Sequence, residues 1–301
     1  MDQITSFRGL NNVIDPLRLD WRSLVQATNV NITDTGAIEK RDGYALSRAG
    51  SFQSAYSTID TTRAYLATAT EIQDFNGVNV ATLTSTAPMY WCEVNESVYF
   101  NNGVDSGVIA PDNAVTAWRG APVSYGAGFT GDDGQNLGVL FDTLPLGTDV
   151  IQFWKGRMYA AQYLASENHT VIWFSEPMGY HLWNLDSNFF IVPGKVTMLA
   201  PHDAALIVGT DACIYAYSGD KLDQLAEYGV VAGQHWDRDD QRILFWTTRG
   251  LCAALPFVNI TEKQISVAPG VRAGGCLVRA GGQKRFVVSI QQGGEAFNAR
   301  S

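Results

Sequence analysis

Leu206-Ile207-Val208, Gly209-Thr210-Asp211-Ala212 and Cys213-Ile214-Tyr215-Ala216-Tyr217 follow one another without interruption. Two runs of β-branched and aromatic residues flank four turn-forming ones, and that order reads as a tight β-hairpin. The same object recurs in both directions along the chain. Ser97-Val98-Tyr99-Phe100 precedes Asn101-Asn102-Gly103, and Arg157-Met158-Tyr159-Ala160-Ala161 follows Lys155-Gly156. Arg242-Ile243-Leu244-Phe245-Trp246 precedes Arg249-Gly250, and Arg285-Phe286-Val287-Val288-Ser289-Ile290 comes last. With a further run centred near Tyr65, the run centres lie roughly 33 to 60 residues apart, bracketing the period of propeller blades.

Helical periodicity is scarce. Pro16 to Thr28 offers one helix, with Leu17, Trp21, Leu24 and Val25 on a common face, and Leu222 to Tyr228 offers a short helix or turn. An ordinary soluble domain is about one-third helical, so the scarcity points to an all-β chain. A β-propeller-like body of roughly six blades is expected, because the turns inside each repeat are short and the repeats exceed one hairpin. A jelly-roll sandwich is the alternative. The expected organisation is an N-terminal arm and hairpin over 1–48 and a propeller body over 49–301. Within the body, the glycine-rich stretch 122–149 reads as a long inserted loop, a place where contacts concentrate.

With 46% hydrophobic and 17% charged residues, the 301-residue chain can bury a large core. Its formal charge of -9 argues against a protein that grips phosphate backbones. The first twenty residues carry Asp2, Arg8, Asp15, Arg18 and Asp20 and no continuous apolar run, so no secretory signal is expected, and no run of about eighteen apolar residues suggests a membrane anchor. Synthesis and folding in a cytoplasm follow. Cys92, Cys213, Cys252 and Cys276 are then expected to be buried thiols, since their spacing fits neither a zinc knuckle nor a disulfide framework. The sequons at Asn31, Asn95, Asn168 and Asn259 read as chance matches in that compartment.

Signals for chemistry are weak. His169, His181, His202 and His235 show no metal-ligand spacing and are expected on the surface or in loops. His202-Asp203 lacks a nucleophile elbow. Asp237 and Asp239 would share a strand face as a carboxylate pair, but Asp chemistry before Arg242 reads better as a solvated turn. Gly131 to Asn136 lacks the alternating acids and terminal Glu of a calcium loop. The eight Trp and twelve Tyr sit mostly inside strand runs, where packing between blades explains them better than sugar stacking. No enzyme activity and no cofactor are expected.

The N-terminal stretch is more specific. FRGLNNVIDPLRLDW (Phe7 to Trp21) leads into ATNVNITDTGAIEKRDGY (Ala27 to Tyr44). Asn29 to Ile32, a turn at Asp34-Thr35-Gly36, and Ala37 to Glu39 read as a hairpin ending on Arg41-Asp42-Gly43-Tyr44. In the arm, Arg8, Asn11, Asn12 and Asp15 interleave with Phe7, Leu10, Val13 and Ile14, a pattern suited to docking on the chain's own body or on a neighbouring subunit.

This block resembles the N-terminal end of tail nozzle, or stabilisation, proteins of short-tailed bacteriophages. The resemblance extends over about 150 to 232, through Gly156-Arg157-Met158-Tyr159, Ser175-Glu176-Pro177 and Val208-Gly209-Thr210-Asp211-Ala212-Cys213-Ile214-Tyr215, with Cys213 where Gly is usual. It implies a virion structural protein, synthesised in the bacterial host cytoplasm and built into the tail as a hexameric ring. Such a ring sits below the portal and head-to-tail adaptor proteins, beside a tail fibre or tailspike, and DNA leaves through it without specific binding. On this reading the assembly or docking residues are Phe7, Arg8, Leu10, Asn11, Asn12, Asp15, Arg41 and Tyr44. A carbohydrate-binding or glycoside-acting propeller for host-receptor recognition is the alternative.

Overall fold

The computed structural model describes every residue except 1–5, 34, 42, 44, 121, 126–138, 281–282 and 294–301. The chain divides into two compact units, one made of residues 1–50 and 235–301 and the other of 51–234. All regular structure among the described residues is β. The first unit opens with β1 (Gly9–Leu10) and β2 (Ser23–Leu24), a short parallel pair, and then β3 (Val30–Ile32) and β4 (Ile38–Lys40), the antiparallel hairpin that the sequence indicates.

The second unit is a series of antiparallel meanders. β5 (Ser54–Ser57), β6 (Ala64–Ala67), β7 (Glu71–Asp74) and β8 (Asn79–Thr82) form one four-stranded sheet. β9 (Tyr90–Val94), β10 (Ser97–Asn101), β11 (Ser106–Ile109) and β12 (Val115–Thr116) form the next. A two-stranded ladder follows, β13 (Val123–Tyr125) with β14 (Val139–Phe141). β15 (Thr148–Trp154), β16 (Arg157–Leu164), β17 (His169–Glu176), β18 (Gly179–Trp183) and β19 (Phe189–Pro193) make a five-stranded sheet in which β18 and β19 both pair with β17. β20 (Val196–Pro201), β21 (Leu206–Thr210), β22 (Ile214–Tyr217) and β23 (Leu222–Ala226) complete the unit.

Two features make this arrangement propeller-like. The first strand of the five-stranded sheet, β15, lies beside the first strands of two other sheets, β9 and β20. Burial also falls from first strand to last: β20 is buried over five of its six residues, whereas β23 holds none that is fully buried. Radial sheets with their first strands around a centre produce both. Turn chemistry enforces the meander. Asn95-Glu96 and Lys155-Gly156 have positive φ at both positions, the requirement of the two-residue turn whose twist matches the flanking strands.

Five of the eight tryptophans, Trp91, Trp118, Trp154, Trp183 and Trp246, are buried, which agrees with the packing role expected of them. One cluster gathers Trp118, Trp154 and Trp183 with Met158, Ile172 and Leu199 across three sheets. A second is built on Tyr65, Ile72, Trp91 and Phe100.

The first unit resumes with β24 (Trp236–Asp239), β25 (Arg242–Thr247), β26 (Gly250–Ala254) and β27 (Val258–Asn259), a four-stranded meander, and closes on β28 (Arg272–Ala280) paired with β29 (Gln283–Gln291).

Several sequence expectations change. Residues 222–226 are the strand β23, because β22, buried along its whole length, leaves a ladder edge that Leu222 to Ala226 fills. The expected helix over 16–28 is absent: Asp15 Oδ1 accepts the Leu17 N–H (3.0 Å), the Asp15 carbonyl accepts the Arg18 N–H (2.8 Å), and the chain then turns into β2. A side chain that bonds its own backbone competes with helix formation. The inserted stretch 122–149 begins and ends in ladder strands, and its centre lies outside the described residues. All four cysteines are free thiols; Cys92 and Cys252 are buried as expected, but Cys213 is only partly buried and Cys276, on β28, is exposed.

The candidate docking arm

The arm residues expected to dock are held by three parts of the first unit. The Phe7 N–H donates to the Gly36 carbonyl at 2.7 Å, which ties the arm to the turn of the β3–β4 hairpin. Gly36 has φ +80°, and a Cβ there would stand 2.8 Å from the Phe7 carbonyl oxygen, so only glycine permits this approach. Arg8 donates its N–H to the Arg22 carbonyl (2.9 Å), and its guanidinium meets Asp20 at 2.8 Å. The Arg22 N–H bonded to Asp20, helped by the charges of Arg8 and Arg22, holds that carboxyl below the usual aspartate range. Leu10 stands opposite Leu24 in the parallel β1–β2 ladder.

Asn11 and Asn12 then cross to a segment more than 250 residues away. Asn11 Nδ2 donates to the Lys263 carbonyl (3.2 Å), while its Oδ1 accepts the N–H groups of Val13 and Ile14, each at 3.1 Å. Asn12 donates its backbone N–H to the Gln264 carbonyl (3.0 Å). Its side-chain amide imitates a peptide group: Nδ2 donates to the Ser266 carbonyl (3.0 Å) and Oδ1 accepts the Ser266 N–H (2.7 Å). An asparagine carries one donor group and one acceptor on a plane, as a peptide does. The arm therefore docks, within one chain, on the segment that follows β27.

Val13 and Ile14, expected to help anchor the arm, are 47% and 45% exposed, so the anchoring hydrogen bonds come from the paired asparagines instead. Asp15 shapes the turn after the arm, where its Oδ1 accepts the Leu17 N–H. Arg41 sits at the far end of the hairpin, where its N–H bonds the Asn29 carbonyl (3.0 Å) and its guanidinium reaches Asn29 Oδ1 (3.4 Å). Tyr44 lies outside the described residues. Lys263, Gln264 and Ser266 were missed by sequence reasoning. They contribute mainly backbone groups, which every residue carries, so no side-chain pattern marks them.

The acidic cluster is structural. Asp237 Oδ2 accepts the Leu277 N–H (2.7 Å), Lys284 bridges Asp239 (2.7 Å) and Asp240 (2.6 Å), and Arg242 reaches Asp239 at 3.6 Å. These bonds fasten the β28–β29 hairpin to β24. Asp240, at φ +53°, makes the β24–β25 turn, as its sequence position suggests. His235 departs from expectation: it is fully buried, and its Nδ1 accepts the Trp246 N–H at 3.1 Å. The ladder that sets Trp236 opposite Phe245 carries the preceding histidine inward. Among the described residues no three His, Cys, Asp or Glu side chains gather as a metal-binding group, and the Gly131 to Asn136 loop lies outside them.

No protein-family model matches the chain, and no curated protein matches it. Solved structures do. The extracellular domain of a putative one component system from B. thetaiotaomicron is similar at 11% identity with a TM-score of 0.45, over 81% of this chain and 32% of that one. The chain thus spans about a third of the length of that protein. The AfRom2 CNH domain is similar at 10% identity with a TM-score of 0.44, over 80% of this chain and 94% of that one. AztD from Citrobacter koseri is similar at 12% identity with a TM-score of 0.32, over 78% of this chain and 58% of that one.

Proposed function

We propose that the chain is a structural subunit of the tail nozzle of a short-tailed bacteriophage, built as a ring, hexameric by resemblance, below the head-to-tail adaptor proteins. The observation that carries this reading is the N-terminal block Phe7 to Arg41, in which the paired asparagines of the FRGLNN motif lock an extended arm in place. A ring of identical subunits needs head-to-tail contacts between unlike surfaces. Stacked meanders with few open edges give each subunit the stiffness that a channel wall requires. The acidic balance suits a wall past which DNA slides without sticking, since phosphate contacts depend on clustered cations. A tail fibre or tailspike is the further neighbour that such a position supplies.

The test is the particle. Mass spectrometry of purified virions should find this chain, and reconstruction should place it in the axial tail below the portal. Its presence outside any axial ring would refute the proposal. Polysaccharide cleavage by the purified chain would favour the host-receptor alternative instead.

A further inference from the structure

The docked arm uses its polar groups for the bonds to 263–266 and leaves its large apolar side chains in solvent. Leu17 is 94% exposed and Trp21 58%, and Val13, Ile14 and Val25 are exposed on the same stretch. The segment that receives the arm is bordered in the same manner, by exposed Ile260 before it and exposed Val267 after it. Large apolar side chains gathered on both sides of one junction mark a surface that another molecule covers.

Residues 6–40 are also bonded among themselves. Phe7 joins Gly36, Arg8 joins Arg22 and Asp20, the Asn11 N–H donates to the Leu24 carbonyl at 2.8 Å, and β1 pairs with β2 as β3 does with β4. They can therefore move as one piece. Residues 45–50, which lead from this piece towards β5, hold no regular structure and are largely exposed. The asparagine bonds that fasten the piece to 263–266 are exposed, so each is weak and reversible, and the arm of any copy can make the same bonds. Charge favours the junction as the place where copies meet. The chain carries -9, so copies repel one another overall, but Arg8, Arg18, Arg22 and Lys40 balance Asp15, Asp20, Asp34 and Glu39 within 6–40, and Lys263 balances Glu262 in the receiving segment.

We propose that copies exchange this piece: residues 6–40 of one copy dock on residues 263–266 of the next, through the bonds that Asn11 and Asn12 make within a single chain. Exchange of an identical element is a low-cost route to assembly, because every bond broken is remade. It also brings a second body alongside the junction, where Leu17, Trp21 and Val267 lose exposed apolar surface to the contact. The donor surface and the receiving surface differ, so the contact runs head to tail. The proposal deepens the ring reading above and rests on it for closure.

Cross-linking of the full-length chain tests it, with Cys276→Ser as background because Cys276 is exposed. Val13 and Val267 follow the bonded residues Asn12 and Ser266 and are exposed, so replacing their side chains leaves the docking bonds in place. An affinity-tagged Val13→Cys chain is mixed with an untagged Val267→Cys chain and treated with a short thiol-to-thiol reagent. Peptide mapping should find links between positions 13 and 267 well above 13–13 and 267–267 links. Adding Asn12→Ala to the untagged chain weakens its hold on its own arm and should raise that yield several-fold. Links between 13 and 267 at the random level, or a yield that Asn12→Ala does not move, would overturn the exchange. The double variant, Val13→Cys with Val267→Cys, separates exchange from ring. A covalent ladder that ends in one closed ring supports both, and a closed pair or an unbounded ladder supports the exchange and removes the ring. Links confined within monomers at every concentration overturn the exchange. A native ring whose 13–267 links all lie within single chains overturns the exchange and leaves the ring reading standing.

Discussion

Replacing Asn12 by Ala removes the two hydrogen bonds of its side-chain amide to Ser266 and leaves the backbone bond from Asn12 to Gln264 intact. Intramolecular hydrogen bonds contribute about 0.5–1.5 kcal/mol each, and these two are exposed, which puts them at the low end. Their joint loss costs about 1 kcal/mol of docking free energy, or about fivefold in the arm's opening equilibrium. The Ser266 amide reports the event directly, because its hydrogen is the one given to Asn12 Oδ1. Native-state hydrogen exchange should therefore show at least fivefold less protection at Ser266, whose acceptor the substitution also removes, with no change in the buried strand β25, whose opening tracks global unfolding. Unchanged exchange at Ser266 would refute the docked geometry. A drop in the global unfolding midpoint with Ser266 changing in proportion would show instead that the arm is part of the cooperative core.

Trp118 donates its indole N–H to the Tyr180 carbonyl (2.8 Å), whereas buried Trp183 has no partner for its own among the described residues, so Trp118→Phe should destabilise by about 1–3 kcal/mol more than Trp183→Phe in urea titrations. Burial holds the Asp149 carboxyl above the usual range, against the opposing Val150 N–H and Lys195. An acid whose folded pKa is raised contributes its stability below the unfolded value and loses it as pH rises through the folded one, so Asp149→Asn should raise the melting temperature at neutral pH and the gain should vanish in acid. A gain that persists below the ordinary aspartate range would disprove the cause. Gly209→Ala would set a methyl group 2.5 Å from buried Val230, and a loss of about 1–3 kcal/mol is expected by denaturant unfolding; an unchanged midpoint would mean that β21 yields there.

The all-β class was legible in the sequence because strand runs and turn residues are local signals. Leu206 to Tyr217 states its hairpin through β-branched and aromatic runs around a polar turn, and Asn29 to Glu39 does the same, each within a dozen or so residues. Leu222 to Ala226 was not legible, since its few apolar residues fit a helical face equally and only the open edge of β22 made it a strand. The docking site was half legible. Asn11 and Asn12 stand out as polar residues in an apolar arm, but their partners are carbonyls and an amide at 263–266, and backbone groups have no signature in sequence. His235 shows the same limit. Nothing near it in sequence says that it is buried, because its burial is set by the ladder that brings Trp246 across from it. Local composition determined which segments extend and where they turn, whereas long-range pairing decided which edges were filled and which polar groups found partners.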